Sequence, residues 1–461
     1  MKKQISLLLL LAAASLHSIA QKTSHALVQG NYNKRSANNV VLYKVVAGTR
    51  QEFASMKLND KKEFAFQVPS VEAGYYYLAQ DPNRGGIRIW LSPGTQLRMQ
   101  VSDTGYTLQS ASPENNLLHQ WETMRMPVRA MGNSLSNDNP RLRSLSDTGT
   151  YHSFFPKLHE LLANAASFRK RINTSNKAFN DLLRFTIDAD VQQSALHFLL
   201  TPKSAHPTPE ELPAYYRDDA RGKLLATTAI YRLGEGQSIL QDYSILPILL
   251  GKKPEEKADM LDWSLQLIPN DTLRGDIVIG NLQRANSFET VLDNTEKYGR
   301  YILTPEQKLQ KEAIFDKLVK YQKGAPAYNF NLDDINDKKV SLKSLAGKVV
   351  VLDVWATWCG PCKAEIPHLK KLEAAMHGKD VVFVSIGTDK PADKEKWKKF
   401  VQDEQLGGVQ LYDPSGAAIH SYYKIPGIPR FMVFDKAGKI VSADAPRPST
   451  PELQKMIEQY L

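Results

Sequence analysis

Cys359 and Cys362 are the only cysteines in 461 residues, and they stand three positions apart. A structural zinc site needs two further Cys or His ligands close by. The nearest histidine, His368, reads instead as a helix-surface residue. A small fold stapled by disulfides would space its cysteines widely. The chemistry left to a lone C-x-x-C is thiol–disulfide exchange. It needs no metal and no cofactor beyond the redox-active Cys359–Cys362 pair itself.

Such exchange requires one sulfur to be ionised near neutral pH and the other to finish the reaction. The segment Trp355-Ala356-Thr357-Trp358-Cys359-Gly360-Pro361-Cys362 follows an apolar run and opens a helical pattern. A helix N-terminus carries partial positive charge and unpaired N–H groups, which stabilise a thiolate. Cys359 takes that position and is the expected nucleophile. Cys362, one turn on, is expected to be the more shielded sulfur, reaching back to resolve a mixed disulfide. Its proton needs an acceptor, and two carboxylates offer themselves. Asp353 lies inside an apolar strand, where burial should raise its pKa. Glu365 lies three residues after Cys362 on the same helix face.

The elements around this pair predict an α/β layout. Val349-Val350-Val351-Leu352-Asp353-Val354 is a continuous apolar run suited to a sheet buried on both faces. Lys338 to Leu342 reads as a short strand before it. After the cysteine helix come a strand (Val381 to Ile386), a helix (Lys394 to Gln405) and a closing hairpin (Arg430 to Asp435, Lys439 to Val441). The Lys-rich stretch from Asp389 to Phe400 reads as a solvated helix face, with Trp397, Phe400 and Val401 as its apolar stripe.

Trp358-Cys359-Gly360-Pro361-Cys362 resembles the active site of thioredoxin. Asp353 matches that family's buried aspartate, and Pro367 the proline that kinks its active-site helix. Glu365-Ile366-Pro367 resembles the C-x-x-C-x-x-E-x-P pattern of exported thioredoxin-like proteins of the TlpA and ResA type. Ile425-Pro426-Gly427-Ile428-Pro429 matches the family's cis-proline loop. The resemblance implies a thioredoxin-like fold for 324–461, with Pro429 as the cis residue. It also implies that the backbone at Ile428 pairs with a substrate chain beside the sulfurs, with Trp358, Gly360 and Pro361 flanking it. Gly360-Pro361 matches the strongly reducing thioredoxin and leans toward a reductase. Two departures stand out. Arg430 replaces a small polar residue after the proline, and a guanidinium beside the sulfurs could favour acidic substrates or further depress the Cys359 pKa. Val381 to Ile386 holds no lysine, so the partner of the family's aspartate is missing, which favours Glu365 over Asp353 as the base.

The remainder of the chain reads as further domains. Residues 21–112 carry short strands (Val40 to Tyr43, Glu63 to Val68, Tyr75 to Leu78, Ile87 to Leu91) parted by turn signals, and predict a β-sandwich. Residues 113–323 read as an α-helical region. Within it, Thr304-Pro305-Glu306-Gln307 forms a capping-box start, and Leu309, Ile314, Leu318 and Tyr321 an apolar face. This front loosely resembles the β-plus-helical region preceding such domains in Bacteroidetes envelope proteins, which implies no activity for it. The expected architecture is therefore multidomain: β-sandwich, helical region, and a C-terminal α/β thioredoxin-like domain.

Residues 1–20 have the form of a cleaved signal peptide: Lys2 and Lys3, an apolar run from Ile5 to Ala14 too short to span a bilayer, then Ser18-Ile19-Ala20. A periplasmic or envelope location follows, with a mature protein that does not span the membrane. The net charge of +10 is scattered, which argues against nucleic acid. The expected partners are disulfide-containing exported proteins and a membrane thiol donor. Two other readings are open. Thr357, two residues before Cys359, loosely resembles a peroxiredoxin-like peroxidatic site. Alternatively, Tyr75, Tyr76, Tyr77 and Trp90 could line a binding face of an envelope scaffold, although such residues are more often core.

Overall fold

The computed structural model describes residues 24–82, 85–133, 151–201, 207–217, 223–249 and 259–461. The expected leader at 1–20 lies outside the described residues. The chain opens with β1 (Ala26–Asn33), β2 (Asn39–Val46), β3 (Thr49–Lys57), β4 (Glu63–Val68), β5 (Gly74–Ala79), β6 (Ile87–Leu91), β7 (Gln96–Ser102) and β8 (Gly105–Ser110). The α-helices that follow are α1 (Pro113–Asn133), α2 (Tyr151–Arg169), α3 (Lys177–Leu200), α4 (Gly236–Ser244), α5 (Leu246–Leu249), α6 (Met260–Gln266), α7 (Asp271–Arg284), α8 (Phe288–Tyr298) and α9 (Pro305–Leu318).

The described residues divide into two compact units, one of those up to 249 with 266–270, the other of 259–265 with 271–461. The helices expected over 113–323 therefore do not gather into one body. Helices α1 to α5 belong with the strands before them, and α7 to α9 with the C-terminal part.

In the N-terminal unit the strands form two four-stranded sheets, ordered β4–β1–β7–β8 and β3–β2–β5–β6. Strands β4 and β7 alternate buried and exposed residues, the mark of a sheet with one covered face. Their inward Phe64, Phe66, Leu97 and Met99 share a single apolar core with Leu42, Leu78 and Ile89 of the other sheet. Strand β6 is buried throughout, as is β5 beyond Gly74, because helices cover the far face of that sheet. Trp90 packs its ring against Tyr75 and against Phe179 of α3, at 5.9 and 5.2 Å between centroids. Thr186 of α3 donates to the Tyr75 hydroxyl. Tyr75, Tyr76, Tyr77 and Trp90 are thus core, the more usual place for such residues, and the alternative of a binding face is not met.

In the C-terminal unit α9 starts with the expected capping box, Thr304 and Gln307 each bonding the other's backbone N–H. Its expected apolar face is only partly right. Leu318 and Tyr321 are buried, but Leu309 is 71% exposed. The helix seats on α7 through Gln307, whose amide donates to Thr272 O and Asp276. Leu309, two residues on, therefore points away from that contact.

The chain continues through β9 (Asn331–Asp334), β10 (Lys339–Ser341), β11 (Val349–Trp355), α10 (Gly360–Ala375), β12 (Val381–Gly387), α11 (Lys394–Asp403), β13 (Val409–Tyr412), α12 (Ile419–Tyr423), β14 (Arg430–Phe434), β15 (Ile440–Ala445) and α13 (Pro451–Glu458). The seven strands make one sheet, ordered β10–β9–β13–β12–β11–β14–β15. All seven residues of β11 are buried, with β12 parallel on one side and β14 antiparallel on the other. That explains its unbroken apolar run. Leu372 of α10 and Met376 at its C-terminal cap, with Leu453 and Ile457 of α13, pack on Val349, Val351, Phe383 and Val433. Each such side chain contributes about 1.5–3 kcal/mol when fully buried, so the end of β11 is a fixed platform. Trp397 and Val401 anchor α11, while Lys394 and Lys398 both pair with Asp337.

Candidate active site

The strand–loop–helix passage from β11 to α10 carries both cysteines. Cys359 is the N-cap of α10, and its Sγ accepts a hydrogen bond from the Cys362 N–H at 3.1 Å. Pro361 sits in the first turn, where its missing N–H costs nothing. The two cysteines form a disulfide, with their Cα atoms 5.3 Å apart. They pack with Trp355, Trp397, Val401 and Tyr412. Both residues are only 4% exposed, so the expectation that Cys362 is the more shielded of the two is corrected. What separates them is what they face. Cys362 lines a small cavity, and Trp358 beside Cys359 is 65% exposed.

That cavity measures about 30 Å³ and is bounded by Asp353, Trp355, Cys362, Glu365, Glu373 and Pro429 among others. A space of this size holds one or two water molecules. Trp355 Nε1 and Gln410 Oε1 reach it without protein hydrogen-bond partners and offer sites for such water. Asp353 projects from the middle of β11. Burial pushes its carboxyl up to about 7, the nearby Glu373 adds to the rise, and a hydrogen bond from Ser385 opposes it. Ser385 stands directly opposite Asp353 in the β11–β12 register and donates to it. Burial likewise raises the Glu373 carboxyl.

Glu365 is also buried against this cavity, but its oxygens are engaged. Oε2 accepts from the Ser449 N–H and Oε1 from the Ser449 hydroxyl, both at 3.0 Å, and Arg447 lies 3.8 Å away. Of the two candidate carboxyls, Glu365 is thus held by Ser449 and Arg447, while Asp353 accepts from Ser385. Arg430 does not lie as a free guanidinium beside the sulfurs. It is buried, with Nη1 2.6 Å from Asp444, and that expectation is corrected. The cause lies in the strand: Arg430 opens β14, pairs with Val354 of β11, and finds its counter-charge on β15. Thr357 has no freedom to serve a peroxidatic site. Its N–H and hydroxyl both donate to the buried Asp389, the hydroxyl at 2.6 Å.

The loop before β14 closes the site. The Ile428–Pro429 peptide is cis, Pro429 borders the cavity, and Ile428 packs against the cluster holding the two cysteines. Gly360 presents an open backbone, since a Cβ there would meet nothing within 4 Å. Sequence reasoning missed Ser385, Ser449 and Asp389. Ser385 left a trace, as the one hydroxyl in an otherwise apolar strand. Ser449 and Asp389 left none, because each lies in a mixed polar stretch and meets its partner only through the fold.

The Redoxin family profile matches residues 322–458. The thiol-disulfide oxidoreductase ResA of Bacillus cereus is 31% identical over 150 residues, covering 32% of this chain and 83% of that protein. ResA of Bacillus subtilis is 30% identical over 131 residues, covering 28% of this chain and 70% of that protein. Among solved structures, the thioredoxin domain of a thiol-disulfide oxidoreductase from Bacteroides vulgatus is 26% identical. It covers 30% of this chain and 97% of that one, with a TM-score of 0.28.

Proposed function

Because the chain belongs to the ResA- and TlpA-like thiol–disulfide oxidoreductases of the thioredoxin family, we propose that it reduces disulfides of exported proteins through Cys359 and Cys362. The observation that carries this reading is the cysteine pair closed on the first turn of α10, with Cys362 on the same small cavity as Asp353. In the reduced protein the Cys359 thiolate, stabilised at the helix N-terminus, attacks a substrate disulfide. One substrate sulfur leaves as a thiolate and the other stays bound to Cys359. Cys362 then gives its proton through cavity water to ionised Asp353 and attacks the Cys359 sulfur. The mixed disulfide breaks, the Cys359–Cys362 bond forms, and the substrate has gained two electrons, its two thiolates taking up one proton by way of Asp353 and one from water. The structure holds this oxidised end state, which a membrane thiol donor would reduce again.

The substrate backbone pairs at Ile428 beside Pro429, with Trp358, Gly360 and Pro361 forming the rim it crosses. Glu365 acts through Ser449 to hold the start of α13 rather than as a base. The two front sheets, sharing one core, are read as a β-sandwich, and the leader at 1–20 directs the chain to the periplasm or cell envelope. Among the described residues no helix is long and apolar enough to cross a membrane.

The test is trapping in the native host with Cys362→Ala. Exported proteins held to Cys359 by a reducible bond are the expected yield, and none above a Cys359→Ala/Cys362→Ala control would overturn the reading. Direction is tested by equilibration with glutathione. A midpoint near that of strongly oxidising dithiols, about −120 mV, would contradict a reductase.

A further inference from the structure

The N-terminal unit holds a buried ionic cluster unconnected with the sulfur chemistry. Arg88 of β6 meets Asp190 of α3 through both terminal nitrogens at 2.9 Å, and also reaches Glu122 at 3.1 Å and Glu235 at 3.3 Å. Arg125 of α1 pairs with Glu122 at 2.8 Å and Asp190 at 3.2 Å. Arg50 holds Glu235 at 2.6 Å and lies over the Tyr77 ring. Burial alone would neutralise Asp190 and Glu235, but the surrounding guanidinium groups outweigh it and keep both carboxyls below their usual range.

Among the described residues one cation of this cluster remains over. The group counts four arginines, Arg50, Arg88, Arg125 and Arg129, against three carboxylates, Glu122, Asp190 and Glu235. Arg129 follows Arg125 by one turn of α1 and has no hydrogen-bond or ion-pair partner among the described residues. Burial, and then the charge of Arg125, hold its guanidinium below the ordinary range. Glu122 and Glu235 offset part of this effect, but a half-buried guanidinium with no direct partner among the described residues favours a counter-ion. Arg129 borders a cavity of about 430 Å³, together with Arg50, Gln193, His197, Glu235 and Ser238. This volume falls within the range of small-molecule sites. Glu235 does not close it to anions, since Arg50, Arg88 and the Tyr77 hydroxyl already occupy its oxygens.

We propose that this cavity binds a small organic anion, whose carboxylate or phosphate group pairs with the Arg129 guanidinium. Planar guanidinium recognition of an oxyanion supplies two charge-assisted hydrogen bonds and the missing negative charge. The polar remainder of the wall, Gln193 and Ser238, suits a hydroxylated or amide-bearing body.

The experiment is calorimetric titration of the full chain with citrate and, separately, inorganic phosphate, each against potassium chloride at equal ionic strength. Binding of either supports the site, and which one binds separates a carboxylate from a phosphate ligand. Arg129→Gln is expected to weaken that binding roughly tenfold or more while leaving the Cys359–Cys362 exchange rate unchanged. Gly132→Leu fills the cavity without altering charge. A Cβ there meets nothing closer than Ser194 O at 3.7 Å, so the helix accepts it. It should abolish binding if Arg129→Gln fails to fold. Heat from neither anion beyond the chloride control, or equal affinity in the folded variants, would overturn the proposal.

Discussion

Replacing Asp353 by Asn removes the proposed base while keeping the shape and the Ser385 contact. With its carboxyl at about 7, Asp353 is ionised in about a tenth of molecules at pH 6 and about nine-tenths at pH 8. Resolution of the mixed disulfide should therefore accelerate about ninefold over that interval, with a midpoint near 7. General-base assistance is worth roughly 10²–10⁴-fold, so Asp353→Asn should slow resolution at pH 8 by at least about 100-fold. The variant should also lose the plateau above pH 8. Single-turnover stopped flow with a disulfide peptide reads this step through Trp355 and Trp358, which flank the site. Attack by Cys359, followed separately by alkylation, should be unchanged. If Asp353→Asn resolves within about threefold of the native rate and keeps the same profile from pH 6 to 8, Asp353 is not the base.

The same residue ties stability to pH. A carboxyl raised from 3.8 to about 7 leaves the native state holding one more proton than the unfolded chain between those values. Stability is full below about pH 4 and falls as pH rises to about 7, at roughly 1.4 kcal/mol per unit. Hydrogen exchange of the β11 amides should show Asp353→Asn gaining about 3 kcal/mol on the native protein from pH 5 to pH 8, and an equal gain at both pH values would contradict this. Glu365→Gln should leave the pH profile of turnover in place, costing about 1–2 kcal/mol through its weakened bonds to Ser449; a displaced midpoint would return Glu365 to the mechanism. Arg430→Leu leaves Asp444 without its counter-charge and should destabilise by about 1–3 kcal/mol, a third of the carboxylate being in solvent. Arg430→Leu/Asp444→Leu should recover most of the loss in urea melts, and no recovery would contradict the pairing.

Much of the C-terminal unit was legible because its signals are local. Cys359, Gly360 and Pro361 state a helix start by type alone, and Val349 to Val354 state a strand covered on both faces. Short elements with mixed composition, such as β9 and β13, carried no comparable signal and are defined by their neighbours. The choice between Asp353 and Glu365 could not be made along the chain. It turns on Ser385 across a strand pair and on Ser449 beyond the last strand, contacts that the absence of a lysine in β12 does not report. Arg430 misled for a similar reason, since its partner Asp444 is set by the β14–β15 hairpin. In the front sheets the aromatic run Tyr75 to Tyr77 suited a core but left a binding face open as an alternative. Coverage by α1 and α3, which periodicity within β5 cannot report, made it core. The ionic cluster was invisible, because Arg50, Arg88, Glu122, Asp190 and Glu235 converge from distant segments.

The central claim is that Cys359 is the ionised, attacking sulfur. Reduced protein, alkylated with iodoacetamide across pH 4 to 9 and read by mass spectrometry at each cysteine, tests it directly. The account predicts that Cys359 modifies first and reaches half its limiting rate at least about one unit below an ordinary thiol's pKa of about 8.5, while Cys362 lags throughout. Equal, slow modification of both sulfurs with a midpoint near 8.5 would contradict it.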